Sequence, residues 1–76
     1  MKVNIIIFGQ LCDFLGEKMT LFDIRDTEHL KTELNKMFPA LANAKYAMAV
    51  DKKVVTGNIV LTDQCTVALM PPFSGG

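Results

Sequence analysis

The sequence has 76 residues, half of them apolar, and eight basic side chains balance eight acidic ones. A chain of this length buries only about 60% of its unfolded surface, which predicts one small core rather than two. The net charge of zero argues against nucleic acid as a partner. No apolar run approaches the ~20 residues that span a bilayer, and no signal-peptide pattern is visible, so we expect a cytoplasmic protein with no membrane partner.

The first part of the chain carries two strand patterns separated by a short helical pattern. Lys2 to Phe8 is rich in β-branched residues and apolar on both alternating faces, which predicts a central strand. Gln10 to Leu15 has helical spacing before a stop at Gly16, which predicts one short helical turn. Lys18 to Ile24 is expected to form the second strand.

The main helix is predicted after the second strand. Asp26 or Thr27 can cap its N-terminus, and Pro39 ends it. Its apolar residues recur at i, i+4, i+7 and i+8, and they are Leu30, Leu34, Met37 and Phe38. A single apolar stripe predicts a helix that lies across one face of a sheet.

The second part of the chain is predicted to be mostly strand. Tyr46 to Val50 alternates large and small side chains as a strand does, and Asp51-Lys52-Lys53 is a turn signal. Val54-Val55 and Ile59 to Leu61 are expected to be short edge pieces, and Thr66 to Met70 the last strand. The order of elements predicts an α+β roll, with a mixed sheet of four to five strands and one main helix.

The last six residues, Pro71-Pro72-Phe73-Ser74-Gly75-Gly76, differ in composition from the rest. Two prolines cannot donate to a ladder and favour extended backbone, which predicts a domain over residues 1–70 and an extended tail over residues 71–76. Four extended residues reach about 13–14 Å, enough to enter another protein's active site. Glycine suits the tip, because backbone without a Cβ passes through a narrow channel and leaves its carbonyl carbon open to attack.

A carboxylate on Gly76 is anionic at neutral pH and resists nucleophiles. It must first be converted to a species with a good leaving group, such as an acyl-adenylate. The sequence has no Gly-x-x-x-x-Gly-Lys-Ser/Thr loop that would cradle phosphates, and the chain is too small for an ATP site. We therefore expect an external enzyme to activate the tail.

A roll of this order that ends in Pro-Pro-Phe-Ser-Gly-Gly resembles the ubiquitin-like, or β-grasp, sulfur carriers, and most closely the small subunits of molybdopterin synthase. The resemblance runs from Phe8-Gly9-Gln10-Leu11 through Met48-Ala49-Val50-Asp51 to the block from Val67 to Gly76. One departure is Gln64-Cys65-Thr66, where the family usually has a Gly-Asp-Glu-like turn. The resemblance implies the β-grasp fold and a thiocarboxylate formed on an adenylated Gly76.

The resemblance also implies the partners. The carrier would insert its tail into the large subunit of molybdopterin synthase, where sulfur passes to a pterin precursor within a heterotetramer, a step of molybdenum cofactor biosynthesis. The active site is then expected on the large subunit, with this chain as its sulfur-donating, non-catalytic partner. No bound cofactor or metal is expected, and ATP is used by a ubiquitin-activating-type adenylating enzyme that works with a sulfur donor.

The expected site residues all lie at the C-terminus. Gly76 and Gly75 carry the chemistry, and the residues expected to dock against partners are Leu69, Pro71, Pro72, Phe73 and Ser74. Leu69 has a competing role in the core, because strand residues usually pack inward. Three other functions stay open: a thiamin-type sulfur carrier, a ubiquitin-like modifier conjugated through Gly76, and a binding module with an inert end.

Three other side chains are weak candidates for chemistry. His29 has no second ligand at helical spacing and is expected to be a solvated residue of the first helical turn. Cys65 has no basic neighbour in sequence that would lower its pKa, which argues against a persulfide site. Cys12 and Cys65 are both expected to remain free thiols.

Overall fold

The structure is a computed structural model that describes residues 1–43 and 45–71. Its strands are β1 (Lys2–Ile7), β2 (Lys18–Phe22), β3 (Ala47–Val50), β4 (Lys53–Val55) and β5 (Cys65–Met70). They form one five-stranded sheet in the order β2-β1-β5-β3-β4. Strands β1 and β5 are parallel and the other neighbours are antiparallel. The predicted mixed sheet is confirmed, and β1 has a neighbour on each side, as expected for a central strand.

The helices agree with the predicted ones in place and length. A 3-10 turn (Gly9–Leu11) leads into helix α1 (Cys12–Leu15), which ends at Gly16 with a φ of +86°. Helix α2 (Thr27–Met37) is followed by a second 3-10 turn (Pro39–Asn43). Within residues 1–43 and 45–71, no helix has both the length and the apolar character needed to cross a bilayer.

Two side chains cap the N-terminus of helix α2. The His29 N–H donates to Asp26 Oδ1 at 2.8 Å, so Asp26 is the N-cap residue. The Glu28 N–H donates to Asn58 Oδ1 at 2.9 Å, which adds a cap from a distant loop. Thr27 is the first helical residue and is buried. These bonds satisfy amide groups that have no acceptor within the helix itself.

The core lies between α2 and one face of the sheet. Its main members are Val3, Ile5, Ile7, Met48, Val67 and Leu69 from the strands and Leu30 and Leu34 from α2. Burying one such side chain stabilises the fold by about 1.5–3 kcal/mol before entropy is counted. Met37, predicted to join this stripe, is instead 49% exposed, whereas Leu41 in the following 3-10 turn is buried.

The segment from Ile59 to Leu61 does not form the predicted edge strand. Val60 makes one isolated bridge to Asp26, and the Thr27 N–H donates to the Ile59 carbonyl at 3.0 Å. The backbone groups of this segment therefore pair with the start of α2 and not with the sheet. The apolar residues that suggested a strand are divided between a buried Leu61 and a largely exposed Val60.

Candidate docking groove and root of the tail

The two parallel strands β1 and β5 end at the same edge of the sheet. Ile7 lies beside Leu69 in the register, and the Phe8 N–H donates to the Leu69 carbonyl at 2.9 Å, which extends the ladder by one bond. Pro71 follows β5 directly and is exposed. We call Pro71 the root of the tail, because residues 72–76 are joined to the sheet through it.

Gly9 and Pro71 meet at this edge. Gly9 has a φ of +68°, a conformation that favours glycine. A Cβ at position 9 would overlap Pro71 Cγ and would lie 3.1 Å from Pro71 Cδ. The proline ring therefore occupies the space that any side chain at position 9 would need.

An apolar groove of about 640 Å³ lies on the sheet face opposite α2. We call it the open-face groove, and its apolar lining consists of Ile6, Phe8, Ala49, Val54, Ala68 and Met70. Ile6, Phe8 and Val54 are 37%, 49% and 53% exposed. Large apolar side chains exposed together on one surface are typical of a binding site, because their burial by a partner is favourable.

The concave shape follows from side-chain size. Ala49 and Ala68 are opposite each other on β3 and β5, so the middle of the groove has two methyl groups where larger residues stand on either side. Ile6 pairs with Ala68 from β1, and Val54 pairs with Ala49 from β4. The groove is thus a row of four cross-strand neighbours that is low in the centre and high at the ends.

One end of the groove is polar, and hydrogen bonds fix its backbone. Asp51 and Lys52 form the turn between β3 and β4, with φ of 49° and 74°. The Asp51 N–H donates to the Thr66 carbonyl at 2.8 Å, and the Thr66 N–H donates to Asp51 Oδ1 at 3.0 Å. The Lys18 side chain lines a second hollow on the same face, which shares Ile6 and Thr66 with the groove.

The cysteines and the histidine have ordinary structural surroundings. Burial raises the pKa of the Cys65 thiol, which disfavours the reactive thiolate. The Cys12 thiol donates to the Ile7 carbonyl at 2.9 Å, and both cysteines are free. His29, expected to be solvated, is half-buried, and its Nδ1 accepts the Arg25 N–H at 3.2 Å. In the part of the chain that the structure describes, no three His, Cys, Asp or Glu side chains are grouped as metal ligands.

A family model described as the ThiS family matches residues 5–76, which is nearly the whole sequence. The chain belongs to the ThiS family.

Two solved structures resemble this ThiS-family chain, each with 100% of both chains covered. One belongs to the complex of subunits 1 and 2 of the molybdopterin-converting factor from Helicobacter pylori 26695, with a TM-score of 0.74 and 22% identity. The other is SAMP1 from Haloferax volcanii, with a TM-score of 0.78 and 17% identity. No curated protein matches the chain by sequence. The likeness is one of fold, and the expected ubiquitin-like β-grasp fold is confirmed.

The predicted site residues of this ThiS-family chain differ in their exposure, and some lie outside the described structure. Leu69 is fully buried, because its side chain lies on the sheet face that α2 covers. The structure therefore supports a role for Leu69 in the core rather than in docking. Pro71 is exposed beside Gly9, where a partner can reach it. The remaining predicted residues, Pro72 to Gly76, lie outside the described part of the structure.

Sequence reasoning about this ThiS-family chain missed the open-face groove. The usable signal was the apolar character of both faces of the segment from Ile5 to Phe8, where Ile6 and Phe8 alternate with the buried Ile5 and Ile7. One main helix covers only one face of a sheet, so apolar residues on the second face indicate a surface that another molecule covers.

Proposed function

We propose that this chain is a cytoplasmic sulfur carrier that bears a thiocarboxylate on Gly76 and acts as the small subunit of molybdopterin synthase, delivering sulfur to a pterin precursor. The observation that carries the proposal is the family match, which extends through β5 and the tail to Gly75 and Gly76. The surroundings of the cysteines favour Gly76 as the sulfur site, since Cys65 is buried with a raised pKa and the Cys12 thiol is hydrogen-bonded to a backbone carbonyl.

The chemistry starts on the activating enzyme. A Gly76 carboxylate oxygen attacks the α-phosphorus of ATP, which forms the acyl-adenylate and releases pyrophosphate. A donor at the oxidation level of hydrosulfide attacks the carbonyl carbon, and AMP leaves with the electrons of the broken C–O bond. The product is a thiocarboxylate with its negative charge largely on sulfur. ATP is thus consumed by the partner, and no cofactor is assigned to this chain.

The second half of the cycle takes place on the large subunit. The thiocarboxylate sulfur attacks an electrophilic carbon of the pterin precursor and displaces an oxygen leaving group, which departs with the electrons of the broken C–O bond. Water then cleaves the acyl–sulfur bond. The sulfur stays on the precursor and the Gly76 carboxylate is restored. Gly75 and Gly76 suit a narrow entry channel because neither has a side chain. Pro72, Phe73 and Ser74 complete the proposed contact segment between the root of the tail and the glycines.

The open-face groove provides the proposed docking surface for the large subunit. The groove lies beside the root of the tail, because Phe8 and Met70 both line it. Phe8 directly precedes Gly9 and Met70 directly precedes Pro71, the two residues that meet at the sheet edge. A similar fold occurs in a complex of two subunits of the molybdopterin-converting factor, which supports a large-subunit partner. A heterotetramer of two small and two large subunits is the proposed assembly.

Intact mass spectrometry tests the proposal. The chain is incubated with an adenylating enzyme, ATP and sulfide, and the expected product has one terminal oxygen replaced by sulfur. A chain without Gly76 should gain no sulfur, and the Cys12→Ser/Cys65→Ser double variant should gain it as the original does. Sulfur on the truncated chain would show that the Gly76 carboxylate is not the acceptor and would overturn the proposal.

The acceptor is tested separately. The sulfur-loaded chain is mixed with a large subunit and the pterin precursor, and formation of the dithiolene product is measured. Transfer only to thiazole-forming enzymes would indicate the thiamin-type carrier. A ladder of conjugates on an immunoblot of cell extract, lost when Gly76 is deleted, would indicate the ubiquitin-like modifier.

A further inference from the structure

The contact between Gly9 and Pro71 lies where the sheet ends and the tail begins. Pro71 is covalently joined to the last residue of β5, and its own φ is restricted by its ring. Gly9 follows Phe8, whose N–H donates to the Leu69 carbonyl at 2.9 Å. The backbone on both sides of the contact is therefore held by the β1–β5 ladder.

The absence of a side chain at position 9 allows the proline ring to lie where it does. A Cβ built on Gly9 would overlap Pro71 Cγ and would be 3.1 Å from Cδ but 3.8 Å from Pro71 Cβ. Only the outer carbons of the ring conflict, and the Cβ distance is an ordinary contact. Because Pro71 cannot turn freely about its N–Cα bond, a push on its ring changes the direction of the chain after it.

We propose that Gly9 is a positioning residue for the C-terminal tail: its bare Cα seats the Pro71 ring and so sets the direction in which the tail leaves the sheet. This inference rests on the proposed function, since direction matters only if the tail must enter a partner's active site. A misplacement of about 1 Å at a reacting group can reduce a rate by about 10²-fold.

Gly16 provides a matched control within the same chain. It also has a positive φ, +86°, with a ψ of 179°, a combination that favours glycine, so an alanine there has backbone strain of its own. A Cβ at Gly16 would meet nothing within 4 Å. Gly16→Ala therefore reports the effect of backbone strain without a collision, and only Gly9→Ala places a side chain against the root of the tail.

The test compares wild type, Gly9→Ala, Gly16→Ala, Pro71→Ala and Gly9→Ala/Pro71→Ala in thiocarboxylate formation by the adenylating enzyme, with folding checked by urea denaturation. Gly9→Ala should lower kcat about tenfold or more, while KM changes by less than about twofold because the substitution alters the direction of the tail and leaves the rest of the domain surface unchanged. Gly16→Ala should keep kcat within about twofold of wild type. The double variant should recover most of the kcat of Pro71→Ala, because alanine at position 71 lacks the colliding Cγ and Cδ.

A second measurement is independent of activity. In the wild-type chain, an NMR cross-peak between the Gly9 α-protons and the Pro71 γ-protons is expected, as are amide shift changes across residues 72–76 in Gly9→Ala and not in Gly16→Ala. Absence of the cross-peak overturns the inference even if Gly9→Ala does not fold. Equal kcat for the two alanine variants, or no recovery in the double variant, also overturns it. If wild type gains no sulfur at all, the proposed function fails, and the NMR result still decides the contact.

Discussion

Ala49 on β3 lies directly opposite Ala68 on β5, and their two methyl groups form the floor of the open-face groove. Both positions are on the sheet face that α2 does not cover. Ala49 is only 5% exposed although no helix covers it, because larger side chains lie on each side of it. Small residues at the centre of the sheet thus create a hollow that a partner's side chain can fill.

Filling this hollow should weaken partner binding. Ala68→Leu adds bulk to the floor, which excludes an apolar side chain of the proposed large-subunit partner, so the Kd for that subunit should rise about tenfold or more, equivalent to about 1.4 kcal/mol. Isothermal titration calorimetry measures the change. The control is Thr32→Leu, which adds an apolar side chain at an exposed position on α2 and should leave the Kd unchanged. Equal affinities for both variants would place the interface elsewhere.

Removing the Thr27 hydroxyl should destabilise the fold. The hydroxyl oxygen accepts the Ile59 N–H at 3.0 Å inside a buried site, so Thr27→Val keeps the shape and leaves that N–H without its acceptor. The expected loss is about 1–3 kcal/mol in the free energy of unfolding, read from urea denaturation. Thr32→Val is the matched control, because Thr32 is exposed and its hydroxyl donates only to the Glu28 carbonyl one turn earlier. A loss no larger than that of the control would contradict the assigned role.

Gln64→Gly should stabilise the protein. Gln64 has a φ of 64°, which costs a non-glycine residue about 1–2 kcal/mol, whereas the entropy that glycine adds to the unfolded chain costs about 0.5–1 kcal/mol. The strain relief is the larger of the two, so the free energy of unfolding should increase by up to about 1 kcal/mol. Thr62→Gly, at an exposed position two residues earlier, should instead destabilise. If both glycines destabilised equally, position 64 would carry no relievable strain.

Acid should weaken the cap of α2. The His29 N–H bond to the Asp26 carboxylate is the main cause that holds the pKa of Asp26 below its usual range. Because the pKa of Asp26 is lower in the folded state, its ionised carboxylate stabilises the fold. This stabilisation is fully present above about pH 4, the ordinary carboxyl range, and is lost as the pH falls through the folded-state pKa. Asp26→Asn should therefore flatten this part of the acid limb in urea titrations. An unchanged acid limb in Asp26→Asn would assign the pH dependence to other carboxylates.

Local pattern was sufficient for the elements whose side-chain period is undisturbed. Strand β5 alternates buried and half-buried residues without a break, and α2 begins at a predicted cap residue and presents Leu30 and Leu34 to the core. The suitability of Gly75 and Gly76 for a narrow channel was also predicted from sequence, because a backbone without side chains is a property of residue type alone. The thiocarboxylate proposed on Gly76 was implied by the family resemblance.

The tertiary structure decided what depends on residues far apart in sequence. The parallel pairing of β1 with β5 joins the two ends of the chain, and it places Gly9 against Pro71 and Phe8 beside Met70. No local pattern specifies that pairing, because it is selected by the burial of one whole sheet face against α2. For the same reason, Leu69 could be assigned to the core only after the face covered by the helix was known.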